Sequence, residues 1–234
     1  MKIGILVHGA HLQAKEWDTL VWGVAPSQMG RLPKAIQILL SFGASVIFFG
    51  TGASEKDGFK EGEYAFKTLL ERQENLSKFD ALKELPSINT LEVSLSEIKE
   101  GGRLAEVIVD AVSQNTKEEL LVAGDIFVAR GVTHVFLVSS ATHIARCLRD
   151  AQSVYNNPLY GGKYKALAQG LMGAPADTCY AGADYDSTVI VEAPHRGDRV
   201  AYPLHEKVKE IFSVKPDKLE AFGEELSFLV KKYC

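Results

Sequence analysis

No apolar run in this 234-residue chain approaches the roughly 20 residues that a membrane-crossing helix needs. The opening run, Ile3-Gly-Ile-Leu-Val7, is too short for a signal peptide, and no small-residue cleavage region follows it. Cysteine is scarce: Cys147, Cys179 and Cys234 are odd in number and lack a CxxC spacing. That argues against a disulfide framework or a structural zinc site and for a reducing compartment. An excess of positive charge is missing too. Lys and Arg number 26 against 30 Asp and Glu, a net charge of −4, which speaks against a general nucleic-acid binder. Repeats and low-complexity tracts are also lacking. These absences lead to the expectation of a cytoplasmic protein with no membrane and no nucleic-acid partner.

What is present is an alternation of strand and helix signals, the pattern of βαβ units. Strands are expected at residues 3–7, 45–49, 106–109, 133–138 and 188–191. Helices are expected at about 30–42, with Gly43 as C-cap, and at 61–72, 116–130 and 142–154. The fold class that follows is α/β, a Rossmann-like, mainly parallel sheet with helices on both faces, read as a single domain over 1–234. Residues 73–103 read as an insertion at a sheet edge. Residues 155–187 are rich in Gly, Tyr and Asp without clear periodicity, as in a lid, with room for a short helix such as 163–171. In the tail, Leu219, Phe222, Leu226, Leu229 and Tyr233 recur at three- and four-residue steps. This is a stripe suited to core packing, with an oligomer contact as the alternative.

Each polar cluster follows a strand: His8-Gly9, Gly50-Thr51-Gly52, Asp110 to Thr116, and Ser139 to Arg146. In a parallel sheet the loops after strands share one edge, where ligands bind. His143 and Arg146, three apart at the start of a helix, share a face and make a candidate anion site. Histidine transfers protons near neutral pH, and arginine suits bidentate contact with phosphate or carboxylate.

Plainer readings stand beside these. Gly50-Thr51-Gly52 lacks the third glycine of a dinucleotide fingerprint, and a tight turn explains it as well as close approach to a ligand does. Thr116 and Glu119 have capping-box spacing, and helix capping alone would select Asn115 and Thr116. Asp110 fits a general base, a hydroxyl acceptor, a metal ligand or an ion-pair partner of Arg31 or Arg146. Glu61 fits those roles or that of a solvated first-turn acid. His8, His11 and His195 with Asp184 and Asp186 meet no ligand spacing, so no metal is predicted.

Taken in order, these motifs resemble the YdcF-like family, which includes the SanA and ElyC type. The matching pieces are Gly9, Gly30-Arg31-Leu32 with Ala35, Gly50-Thr51-Gly52, Glu61 and Asp110. Ser113-Gln-Asn115-Thr116 with Glu119, and Ser140 with His143-Ile-Ala-Arg146, complete the pattern. The match spans about residues 1 to 155 and leaves 156–234 as a divergent lid, final strand and C-terminal helices. Asp110 stands where the family usually has Glu, and His8 where an apolar residue is usual. Lacking an anchor, the chain is similar to the soluble YdcF type. The resemblance implies a pocket lined by Gly9, Arg31, Gly50, Thr51, Gly52, Ser113, Asn115, Thr116, Ser140 and Arg146. It also implies a small anionic, nucleotide-like ligand, with S-adenosylmethionine as the candidate cofactor. The expected activity is acid/base-assisted transfer or hydrolysis. Arg31 and Arg146 would hold the anion, and His143 with Asp110 or Glu61 would handle protons. The alternative is a non-catalytic binding or regulatory protein.

Overall fold

The computed structural model describes residues 1–85, 105–180 and 214–233. The chain divides into two compact units, Met1–Thr188 and Val189–Cys234. The first holds an all-parallel sheet of five strands: β1 (Ile3–Val7), β2 (Val46–Phe49), β3 (Glu106–Val109), β4 (His134–Ser140) and β5 (Leu171–Ala176). Their order across the sheet is β3-β2-β1-β4-β5. The direction of strand succession therefore reverses between β1 and β4. In open α/β sheets a crevice forms at such a point, beyond the carboxyl ends of the strands.

Both faces of the sheet are apolar because helices cover both. Alternate residues of each strand enter opposite cores. Ile5, Val7, Ile47, Phe49 and Val138 pack with Leu32, Ile36, Leu39 and Leu69, which come from helices α1 (Arg31–Phe42) and α2 (Glu61–Glu71). Leu6, Phe48, Val135 and Leu137 pack with Leu120, Phe127, Cys147 and Ala151, from helices α3 (Thr116–Ala129) and α4 (Ile144–Tyr155). Fully buried side chains such as Phe48, Phe127 and Leu32 contribute about 1.5–3 kcal/mol each. Helix α1 stops where the sequence says it should: Gly43 turns left-handed at φ 61° and its N–H donates to the Leu39 carbonyl at 3.0 Å.

The described part of the stretch expected as a lid, residues 155–180, carries regular structure, including a short helix within the 163–171 segment where one was expected. Residues 158–160 form a 3-10 turn, Lys165–Gln169 a short helix, and Leu171–Ala176 is β5. Gly173 and Pro175 hide this strand from a propensity reading. Proline is tolerated because β5 pairs on one side only, with β4, among the described residues. Tyr155 and Tyr164 are 2% and 3% exposed, and the Tyr155 hydroxyl donates to the Leu120 carbonyl at 3.1 Å. They belong to the core under α3 and α4, away from any ligand face. Residues 8–29, between β1 and α1, contain a one-turn helix, Trp17–Val21, and a two-stranded ribbon, Gly23–Val24 with Gln28–Met29. Residues 73–85 form a 3-10 turn and a short helix, Asp80–Lys83. Residues 86–103, and the strand expected at 188–191, lie outside the described residues.

In the second unit the described part is a 3-10 turn, Pro216–Lys218, leading into a helix, Leu219–Tyr233. None of that helix is buried. Leu219, Leu226, Leu229 and Tyr233 are exposed among the described residues. No helix among the described residues is long and apolar enough to cross a membrane.

Candidate functional site

The loops after β1, β2 and β3 converge through glycines. A Cβ on Gly9 would lie 2.6 Å from Glu61 Oε2 and 2.7 Å from the Gly50 carbonyl. A Cβ on Gly50 would strike the Glu119 carboxylate, and one on Gly52 the Ala111 backbone. The glycines thus allow close approach of the loops to one another.

On the β1–β2–β3 side, the acids serve the loops. Glu61, 4% exposed, accepts from Thr51 Oγ1 at 2.9 Å and from Ser54 Oγ at 2.6 Å. Ser54 Oγ in turn accepts the Leu12 N–H at 2.8 Å. Asp110 Oδ1 accepts the N–H groups of Val112 and Ser113 at 2.9 and 3.2 Å, and Oδ2 accepts the Ser113 hydroxyl. The Ser113 carbonyl accepts the Gly52 N–H at 2.8 Å. Asn115 is the N-cap of α3, its side chain accepting the Glu118 N–H at 3.0 Å. Thr116 is the first helical residue and does not cap. The capping box expected of Thr116 and Glu119 is therefore absent, and Glu119 is released for another partner.

That partner is His8. Its Nδ1 donates to Glu119 Oε2 at 2.5 Å, and Glu119 Oε1 accepts the Gly9 N–H at 3.1 Å. Both side chains are 1% exposed. Burial disfavours a charged imidazolium, but the Glu119 carboxylate and the Cys147 sulfur outweigh it and raise His8 from 6.5 to about 10. His8 Nε2 is buried with no hydrogen-bond partner among the described residues. Sequence reasoning passed over this pair. The available signal was helical spacing: Glu119, Ala123 and Phe127 are four apart and all buried, so a carboxylate sits on an apolar face.

Across the switch point stands His143, at the N-cap of α4. Its Nδ1 contacts Ser139 Oγ at 2.8 Å and Cys147 Sγ at 3.4 Å, while an Arg146 guanidinium nitrogen meets Nε2. Guanidinium only donates, so Nε2 is the acceptor and the proton resides on Nδ1. Burial, then Arg31, Arg146 and His8, lowers His143 from 6.5 to about 3. The two histidine rings meet edge to face, 6.4 Å apart.

Arg31 lies beneath them, 1% exposed. Nη1 donates to the His8 carbonyl at 2.8 Å and to the Gly9 carbonyl, and Nη2 to Ser140 Oγ and Tyr180 Oη, both at 3.1 Å. Four donors are thereby committed to the protein, which ties the β1 and β4 loops together. Nε alone is buried without a partner among the described residues. Arg146 differs: its side chain is 52% exposed, and its ion pair with Asp150 is long at 3.9 Å.

The site residues expected from sequence therefore form one band along the sheet edge, but in two groups. Glu61, Thr51, Gly52, Asp110 and Ser113 bond among themselves and their neighbours. His143, Arg146, Ser140 and Arg31 gather at the switch point with His8, Glu119 and Tyr180. Asp110 pairs with neither Arg31 nor Arg146 but with its own loop. Among the described residues no group of three or more His, Cys, Asp or Glu is placed to hold a metal. His195, Asp184 and Asp186 lie outside the described residues. No family model, curated protein or solved structure matches the chain.

Proposed function

We propose that the protein is an enzyme that binds a small anionic, nucleotide-like metabolite at the β1–β4 switch point and acts on it by acid/base-assisted transfer or hydrolysis. One observation carries this reading. His143 presents a lone pair on Nε2 while Nδ1 faces Ser139, and the donor covering that lone pair is the half-exposed Arg146. A phosphate or carboxylate arriving there attracts the guanidinium in a bidentate pair. Arg146 then leaves Nε2, and the lone pair turns to the ligand. The anion's charge opposes the cations that hold His143 neutral and raises its affinity for a proton into a useful range. In this reading Arg31 supplies fixed positive charge rather than direct contact, because its donors are spent on the loops. Glu61 and Asp110 hold the loop edge, and His143 handles the proton. The resemblance to the YdcF-like family and its link to S-adenosylmethionine agree with an adenosyl- or phosphate-bearing ligand.

Titration calorimetry with S-adenosylmethionine, adenosine diphosphate and inorganic phosphate tests the proposal. At least one should bind, and Arg146→Lys should weaken it by about 1.5–3 kcal/mol through loss of the planar fork. Binding by none of the three would overturn it. A second reading, a non-catalytic binding protein, is favoured by the same imidazole. A histidine held near 3 takes up no proton at neutral pH. Turnover of the bound ligand that disappears in His143→Gln while affinity persists decides for the enzyme. Binding without turnover decides for the sensor.

A further inference from the structure

We propose that His8, fixed by Glu119, is a positioning residue for His143: a buried cation that keeps its neighbour neutral and aims Nε2 at the ligand. The inference rests on the proposed role of His143 and adds two residues to it.

The charged groups that act on His143 among the described residues are cationic. Its own helix contributes Arg146 and Cys147. Strand β4 contributes Ser139, the loop after β1 His8, helix α1 Arg31, and the segment after β5 Tyr180, whose ring lies 6.3 Å away. Three of these are cations or can be, and none is a carboxylate. The cations differ in permanence. Arg146 is exposed and swings to a ligand. Arg31 cannot move without breaking the loop clamp. His8 alone can lose its charge, and it faces Glu119 from α3 and Cys147 from α4. A neutral His8 would remove one of the charges that hold protons off His143.

Geometry shows how firmly His8 is set. Glu119 binds both the ring and the adjacent Gly9 N–H, so ring and loop are fixed by one carboxylate. Gly50 makes the room that carboxylate needs. The His8 ring meets His143 edge to face, which holds the second imidazole in the orientation its Ser139 contact selects. Carboxylate-backed histidines are a recurrent way of fixing a ring and its charge state. Here the fixed ring acts on a second ring.

Histidine-selective NMR of the unliganded protein tests this without any ligand. In the wild-type chain His8 should hold its proton through neutral pH, and the His143 signals should respond when His8 titrates on the alkaline side. In His8→Gln, and equally in Glu119→Gln, His143 should titrate upward by about one pH unit or more, the scale of one charge at close range. An unchanged His143 titration in both folded variants overturns the proposal. If both variants fail to fold, the wild-type titration decides: a His8 that titrates near its ordinary value, or a His143 signal blind to it, has the same force. Failure of ligand binding in calorimetry would strike the proposed function and leave these titrations readable, so the two failures are distinguishable.

Discussion

The loops after β2 and β3 and the loops after β1 and β4 lie on the same sheet edge and use the same kinds of residue, yet they differ in saturation. On the first side every carboxylate oxygen of Glu61 and Asp110 is engaged by a hydroxyl or N–H of the same loops. On the second side cations outnumber carboxylates, and His8 Nε2 and Arg31 Nε are buried without partners among the described residues. A saturated network specifies a shape. An unsaturated, cation-rich one leaves chemistry to do, and a buried donor without a partner calls for an explanation. The difference separates a half of the edge that is spent on holding its own loops from a half that keeps hydrogen-bonding capacity unspent.

The largest lesion should come from the glycine that joins the two halves. A methyl at Gly50 would occupy the place of the Glu119 carboxylate. Glu119 must then release His8 and Gly9, leaving a charge buried without its partner. Gly50→Ala should lower the unfolding free energy by about 3–5 kcal/mol, measured by urea denaturation. A loss below about 1 kcal/mol would mean that the two sides are not coupled through Glu119.

A smaller effect should divide the two histidines by pH, because titration removes a charge but leaves the packing. His8 is raised from 6.5 to about 10. Its contribution is whole below the unfolded value and is lost as pH rises through the folded one. His143 is lowered from 6.5 to about 3. The unfolded chain then binds the extra proton, so this contribution is whole above 6.5 and declines as pH falls toward 3. Stability should therefore form a dome with its crest near the ordinary histidine value. Glu119→Gln should flatten the alkaline limb and His143→Gln the acid limb. Unchanged limbs would show that neither histidine is held as the geometry requires.

Much of this was legible in the residues. The strands at 3–7, 46–49 and 106–109 and the helix ends at Gly43 and Glu61 follow from apolar runs and caps, which are local signals. The switch point is not local. It depends on β4 and β5 lying on the far side of β1, and β5 itself is masked in sequence by Gly173 and Pro175. Asn115 was recognisable as a cap, whereas Asp110, read as a base, hydroxyl acceptor, metal ligand or arginine partner, bonds its own loop at short range in sequence. The His8–Glu119 pair joins residues 111 positions apart, and the capping-box spacing gave Glu119 a closer, false partner. Arg31 carried a signal for charge but none for burial. Only the convergence of two loops on its guanidinium shows that its donors are already committed.

The smallest effect on stability should be the most telling one about function. Asp110→Asn and Arg146→Ala remove charges of opposite sign from the two halves of the edge. Asn keeps one acceptor for the N–H groups of Val112 and Ser113 but weakens the bond to the Ser113 hydroxyl, so a loss of about 1 kcal/mol is expected. Arg146 is half-exposed with a long ion pair, and its removal should change stability by no more than about 0.5 kcal/mol. Binding should rank the two in reverse. Arg146→Ala should cost about 1.5–3 kcal/mol of affinity for whichever of S-adenosylmethionine, adenosine diphosphate or phosphate binds, and Asp110→Asn much less. Denaturation and calorimetry on the same two variants would read both orders. Were Asp110→Asn to abolish binding while Arg146→Ala spared it, the saturated half would be the site and the unsaturated half the scaffold.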